Sequence, residues 1–200
     1  MKRARKPVYF IFCEGASNKT EITYLSHFRC IDSSYSMTMK PTSNTNPKAM
    51  LTYAVSYSKR QGFDERSGDK IFLLCDIDTK EKRKRLLDAN IIEKAKRKHA
   101  AILFSNPSFE IWFLNHFRKT TKIYQNQNEV IQDLRHFIPD YEKNKDVFKI
   151  LNDNMELAIQ NSKIQLHSTC CIEQENAGTD IFVLIELLIK NIILHKEKDK

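Results

Sequence analysis

Two unbroken apolar runs, Val8-Tyr9-Phe10-Ile11-Phe12-Cys13 and Ile71-Phe72-Leu73-Leu74-Cys75, each stop abruptly at acids: Glu14-Gly15 after the first and Asp76-Ile77-Asp78 after the second. Neither run alternates apolar with polar residues, which argues against a strand with one face in water. Short runs rich in β-branched and aromatic residues suit strands covered on both faces, the mark of a parallel sheet held between helices. Ala100 to Phe104 is a third such run, closed by Ser105-Asn106-Pro107.

The stretches between these runs read as helices. Thr20 is placed to N-cap a helix carrying Ile22, Leu25 and Phe28 on one side. Ser36 to Lys40 alternates weakly and suits a further strand, bounded by the turn-rich segment Pro41 to Pro47. A helix from about Pro47 to Arg60 carries Met50, Leu51 and Ala54 at helical spacing, and a very basic helix from Lys80 to Lys98 carries Leu86, Leu87, Ile91, Ile92 and Ala95. Beyond the third run the pattern is helical: Phe109 to Phe117, Glu129 to Phe137, Tyr141 to Leu166 with a break near Asn152, and Thr179 to Ile193.

Strands alternating with amphipathic helices predict an α/β fold, a Rossmann-type, mostly parallel sheet flanked by helices with a helical C-terminal extension. The expected division is an α/β core over 1–118 and a helical part over 119–200 that packs on the core without folding independently. In such sheets ligands bind beyond the carboxyl ends of the strands. Glu14, Asp76 and Asp78 all stand at that level.

Composition narrows the class. The chain has 200 residues, 41% of them hydrophobic and 29% charged, with four glycines and five prolines, which excludes a disordered or collagen-like polymer. Its net charge of +8 favours polyanionic partners. The five cysteines, Cys13, Cys30, Cys75, Cys170 and Cys171, lack CxxC spacing, so neither a disulfide framework nor a structural zinc site is expected. The basic start, Met1 to Lys6, is not followed by a signal-type apolar segment with a cleavage site, and no run approaches a membrane span. A cytoplasmic protein without membrane contact is the expectation.

Acids at i and i+2 of a strand face the same way, so Asp76 and Asp78 can converge if the strand persists, and Glu14 from a neighbouring strand can join them. Carboxylates that close repel unless protonated or bridged by a cation, and hard oxygen ligands suit Mg2+ or Mn2+. The bland alternative, strand-ending acids in solvent paired with lysines, is the ordinary reading of a lone DxD. Against it stand the two apolar strands, the conformational freedom of Gly15, and a neighbouring helix with nine Lys/Arg against three acids.

Glu110, early in the helix after Pro107, is expected close to the same cleft, although the helix dipole alone favours an acid there. Glu21 reads as first-turn capping chemistry. Ser105 and Asn106 can contact phosphate or serve only the turn before Pro107. Lys80, Lys82, Arg83, Lys84 and Arg85 are candidate nucleic-acid contacts, but consecutive residues spread around a helix, so part of the run is solvated. His116 reads as a packing or capping histidine, Trp112 and Phe113 as core, and the apolar helix from Ile181 to Leu194 as core or a dimer surface.

The combination Cys13-Glu14-Gly15 and Asp76-x-Asp78, each after a hydrophobic strand, resembles the Toprim metal site of topoisomerases, primases and overcoming-lysogenization-type nucleases. More narrowly, Cys13-Glu14-Gly15 with Thr20-Glu21-x-x-Tyr24, Asp76-x-Asp78, Ser105-Asn106-Pro107-Ser108-Phe109-Glu110-Ile111-Trp112 and His116-Phe117 resembles the RloB-like (abortive-infection) proteins of bacteria. The later Asn176-Ala177-Gly178-Thr179-Asp180 fits loosely, and the spacing from Glu14 to Glu21 is longer than the family pattern. The resemblance implies a Toprim-like core, magnesium dependence, phosphodiester chemistry and a part in defence against phage. Glu14 would then be a metal ligand or general acid/base, and Asp76 and Asp78 would hold the ion.

The expected activity is therefore a Mg2+-dependent nuclease acting on DNA, RNA or tRNA, as a possible homodimer or with a defence-system partner protein. The alternative is a non-catalytic Toprim-like module that binds nucleic acid or a partner. A nucleotide-binding sensor is weakened because the chain has no P-loop and no GxGxxG.

Overall fold

A computed structural model describes residues 5–15, 20–29, 34–44, 46–86, 88–168 and 176–198. A five-stranded sheet runs in the order β2-β1-β3-β4-β5. Its strands are β1 (Val8–Glu14), β2 (Ser36–Thr42), β3 (Lys70–Asp76), β4 (Ala100–Asn106) and β5 (Gly178–Thr179). The first four are parallel, and β5 is antiparallel to β4. The α/β expectation of a mostly parallel sheet flanked by helices holds.

Strand pleating divides the apolar residues between two layers. Tyr9, Ile11, Cys13, Phe72, Leu74 and Leu103 face a core shared with α1 (Thr20–Ser26), α5 (Glu110–Asn115), α8 (Met155–Ser168) and α9 (Phe182–Lys198). Phe10, Phe12, Ile71, Leu73 and Cys75 face α2 (Pro47–Arg60), α3 (Lys80–Leu86) and α4 (Ala89–Lys96). The central strands β1 and β3 are buried on both faces, as their apolar runs require. The first layer includes Ile181, Leu184, Ile185 and Leu188, so residues from the two ends of the chain share one core.

Several element boundaries differ from the sequence expectation. The basic helix is two helices, α3 and α4, because Asp88 adopts an extended conformation and caps the second by accepting the Asn90 N–H. In the C-terminal part, α6 (Gln127–Leu134) ends before Phe137, where a helix was expected to continue. The long helix expected from Tyr141 begins only as α7 (Phe148–Leu151), joined to α8 through the 3-10 turn Asn152–Asn154. Thr179, expected to open the last helix, pairs instead with β4, and α9 starts at Phe182.

Cys13 and Cys75 are buried free thiols, while Cys30, Cys170, Cys171, the basic start 1–4 and the polar stretch 16–19 lie outside the described residues. Among the described residues no helix is long and apolar enough to cross a membrane.

Candidate metal centre

The parallel register puts the acids at one level of the sheet. Glu14 is the last residue of β1, and Cys13 beside it pairs with Leu74. Asp76 is the last residue of β3 and pairs with Ser105 of β4. Directly after Glu14, Gly15 takes φ +98°, a conformation open to glycine, and its N–H donates to Thr42 O at 2.6 Å.

Asp78 lies beyond the strand. β3 ends at Asp76, and the Ile77 N–H makes one further bond to Ser105 O at 2.8 Å before the chain turns into α3. The i, i+2 relation therefore does not govern where Asp78 points, and the acids fall into two groups. Thr79 starts α3 by accepting the Lys82 N–H at its hydroxyl, 3.1 Å away. This turn carries Lys82 back over the strand ends, where its ammonium reaches Glu14 Oε1 at 2.5 Å and Asp78 Oδ1 at 3.3 Å.

Lys82, expected among the nucleic-acid contacts, is 5% exposed and engaged with carboxylates. Burial works against its charge, but Glu14, Asp78 and Asp76 outweigh that and raise its pKa. Burial likewise lifts the Glu14 carboxyl above its usual range, with Lys82 pulling it down again. At 2.5 Å we regard the two as an ion pair, because the ammonium is held charged by more than one acid. Glu14 Oε2 is buried and has no hydrogen-bond partner.

Asp76 forms the centre of the second group. Burial first, then the charges of Glu21, Glu110 and Glu14, push its carboxyl well above the usual range, and Lys82 opposes them. Glu21, in the first turn of α1, is 6% exposed, and Glu110, which opens α5, is fully buried. Glu110 Oε2 accepts from Ser108 Oγ at 2.7 Å and Gln127 Nε2 at 2.8 Å, and Oε1 accepts from the Tyr141 hydroxyl at 3.3 Å. The Tyr141 pKa is raised by burial and by Glu110.

Glu21 is thus closer to the centre of the site than its capping role suggested. The signal was present as an acid in the first turn after the β1 loop, but dipole stabilisation explained it equally well. Gln127 and Tyr141 carried no local signal, since they reach Glu110 from 17 and 31 residues away.

The remaining candidates separate by exposure. Lys80, Lys84 and Arg85 are exposed on α3, and Arg83 is half-buried with Nη2 donating to Asn106 Oδ1 at 3.3 Å. Ser105 and Asn106 are buried and bonded within the fold. The Ser105 hydroxyl pairs with Thr179 Oγ1 at 2.8 Å, and Asn106 Nδ2 donates to Asn176 O at 2.5 Å. Their polar atoms hold β5 and the chain before it against β4 rather than lining an open loop. His116 is buried, with Nδ1 against Trp112 O at 2.9 Å, and burial lowers its pKa to about 4.

Among the described residues no three His, Cys, Asp or Glu side chains form a ready cage for a metal ion. The donor chemistry nevertheless fits a hard cation: carboxylate oxygens, one of them buried and without a partner. Glu14, Asp76 and Asp78 are the residues that would hold Mg2+ or Mn2+, with the charges of Glu21 and Glu110 acting on Asp76.

The model of the family described as RloB-like protein matches residues 9–188, and the chain belongs to that family. No curated protein and no solved structure matches.

Proposed function

We propose that this RloB-like protein is a divalent-metal-dependent nuclease, of the Toprim type, that hydrolyses phosphodiester bonds in nucleic acid and serves bacterial defence against phage. The observation that carries the reading is the state of Asp76. Asp76 is a half-buried carboxyl at a strand end, and burial together with the charges of Glu21, Glu110 and Glu14 pushes it above its usual range, a setting that favours a bridging cation.

Glu14, Asp76 and Asp78 would hold Mg2+ or Mn2+, which when bound stabilises charge on the scissile phosphate and lowers the pKa of water. Glu14 serves as a ligand or as the general acid/base. Glu110 keeps a fixed, buried carboxylate beside Asp76. Lys80, Lys84 and Arg85, exposed on the helix that begins next to Asp78, neutralise flanking phosphates.

One observation favours a second reading. Lys82 already pairs with Glu14 and Asp78, and a site that holds its own ammonium can serve a binding module that needs no metal. Incubating the protein with single- and double-stranded DNA and with total tRNA, in Mn2+ or in chelator, separates the two. Metal-dependent cutting that is lost in Glu14→Ala and Asp76→Ala supports the nuclease. Salt-sensitive binding without cutting, unchanged by chelator, supports the binding module.

A further inference from the structure

Glu110 is held more firmly than a helix-end acid requires. An acid in a first turn is stabilised by the helix dipole with no side-chain donors at all. Here three donors converge on one buried carboxylate, from Ser108, Gln127 and Tyr141. A carboxylate accepts about four hydrogen bonds, two at each oxygen. Oε2 therefore has both places filled, and Oε1 keeps one open.

Two of those donors come from the helical C-terminal part, and each is itself fixed. Gln127 begins α6, whose N-cap Asn126 accepts the Glu129 N–H at 3.2 Å. Lys143 Nζ donates to Gln127 Oε1 at 3.0 Å, which sets the amide so that its NH2 faces Glu110. Tyr141 is fully buried and packs edge-on against Phe113, one turn along α5 from Glu110.

We propose that Gln127 and Tyr141 are positioning residues for the carboxylate cluster, holding Glu110 beside Asp76 with one oxygen saturated and the other still able to accept. The C-terminal helical part would then complete the site as well as cover the sheet. This inference rests on the metal-dependent reading above.

Mn2+ binding followed by EPR, alongside thermal melting, tests it without any substrate. The unsubstituted protein should bind Mn2+. Tyr141→Phe and Gln127→Ala should each weaken binding about tenfold or more, as loss of an outer-shell partner does, with Glu110→Gln at least as severe. Tyr124→Phe is the structural control, since it loses a comparable hydroxyl bond, to Asp133 at 2.7 Å. It should shift the melting temperature without changing Mn2+ affinity.

Should Tyr141→Phe fail to fold, the half-buried Gln127 decides alone. Unchanged Mn2+ affinity in the folded variants overturns the positioning role while leaving the metal reading intact. No Mn2+ binding by the unsubstituted protein overturns both.

Discussion

The Lys82 ammonium lies 2.5 Å from the Glu14 carboxylate, joining the end of β1 to the first helix after β3 across 68 residues of sequence. Their side chains are only 7% and 12% exposed. Removing one partner of such a pair leaves a charge poorly solvated, which costs about 3 kcal/mol. Lys82→Met is expected to lower stability by roughly that amount in denaturant titrations with chelator present. Added Mn2+ should recover part of the loss, because the acids then gain another cation. An unchanged midpoint in chelator would mean that the ion pair contributes nothing.

Asp180 is expected to give the stability a pH dependence. Burial raises its carboxyl to about 8, while its side chain accepts the Phe104 N–H at 2.6 Å. The folded state therefore binds a proton that the unfolded state has released. This contribution is fully present below the unfolded carboxylate pKa and is lost as pH rises through about 8. His116, lowered to about 4, works in the opposite sense: its contribution is present above its ordinary pKa and is lost as pH falls through about 4. Between neutral pH and about 8 the Asp180 contribution should outweigh that of His116. Asp180→Asn keeps an oxygen for the Phe104 N–H and should flatten the decline in unfolding free energy over that interval. An equally steep decline in the variant would locate the proton elsewhere.

The contact between α5 and α8 is expected to make the helical part unfold together with the sheet. Asn115 Nδ2 donates to Ser162 Oγ and Gln165 Oε1, both at 2.8 Å, and Asn161 Nδ2 returns a bond to Asn115 O at 2.8 Å. Asn115→Ala leaves buried partners without their bonds and should cost about 2 kcal/mol. Unfolding should stay a single transition by both circular dichroism and Trp112 fluorescence. Two separated transitions would show that the helical part folds alone.

The exposed cations of α3 are expected to set the salt dependence of nucleic-acid binding. Replacing Lys80, Lys84 and Arg85 together by Gln should reduce the slope of log K against log salt by about two to three. Melting temperature should hardly change, because all three are exposed. A slope equal to that of the unsubstituted protein would remove this face from the phosphate track.

Much of this fold was legible because apolar runs without alternation leave few choices. Phe10 to Cys13 and Ile71 to Cys75 are buried on both faces, and the acids that stop them stand at the strand ends as expected. The arrangement around those acids was harder to read. Asp78 escapes the i, i+2 rule because β3 ends two residues earlier, and Lys82 turns inward because Thr79 caps α3. Basic neighbours along one helix look alike in sequence, and only the tertiary turn separates buried Lys82 from exposed Lys84. The two-residue β5 was invisible for a similar reason, since it exists through Ser105, Asn106 and Thr179 meeting across about seventy residues.

The central claim is that a divalent cation binds among these acids. Crystals soaked in Mn2+ and measured for anomalous scattering would test it most directly. A single strong peak is expected in contact with Glu14 and Asp76 carboxylate oxygens, with the Lys82 ammonium displaced from Glu14. A map with no peak at the strand ends, and Lys82 still paired with Glu14 at saturating Mn2+, would contradict it.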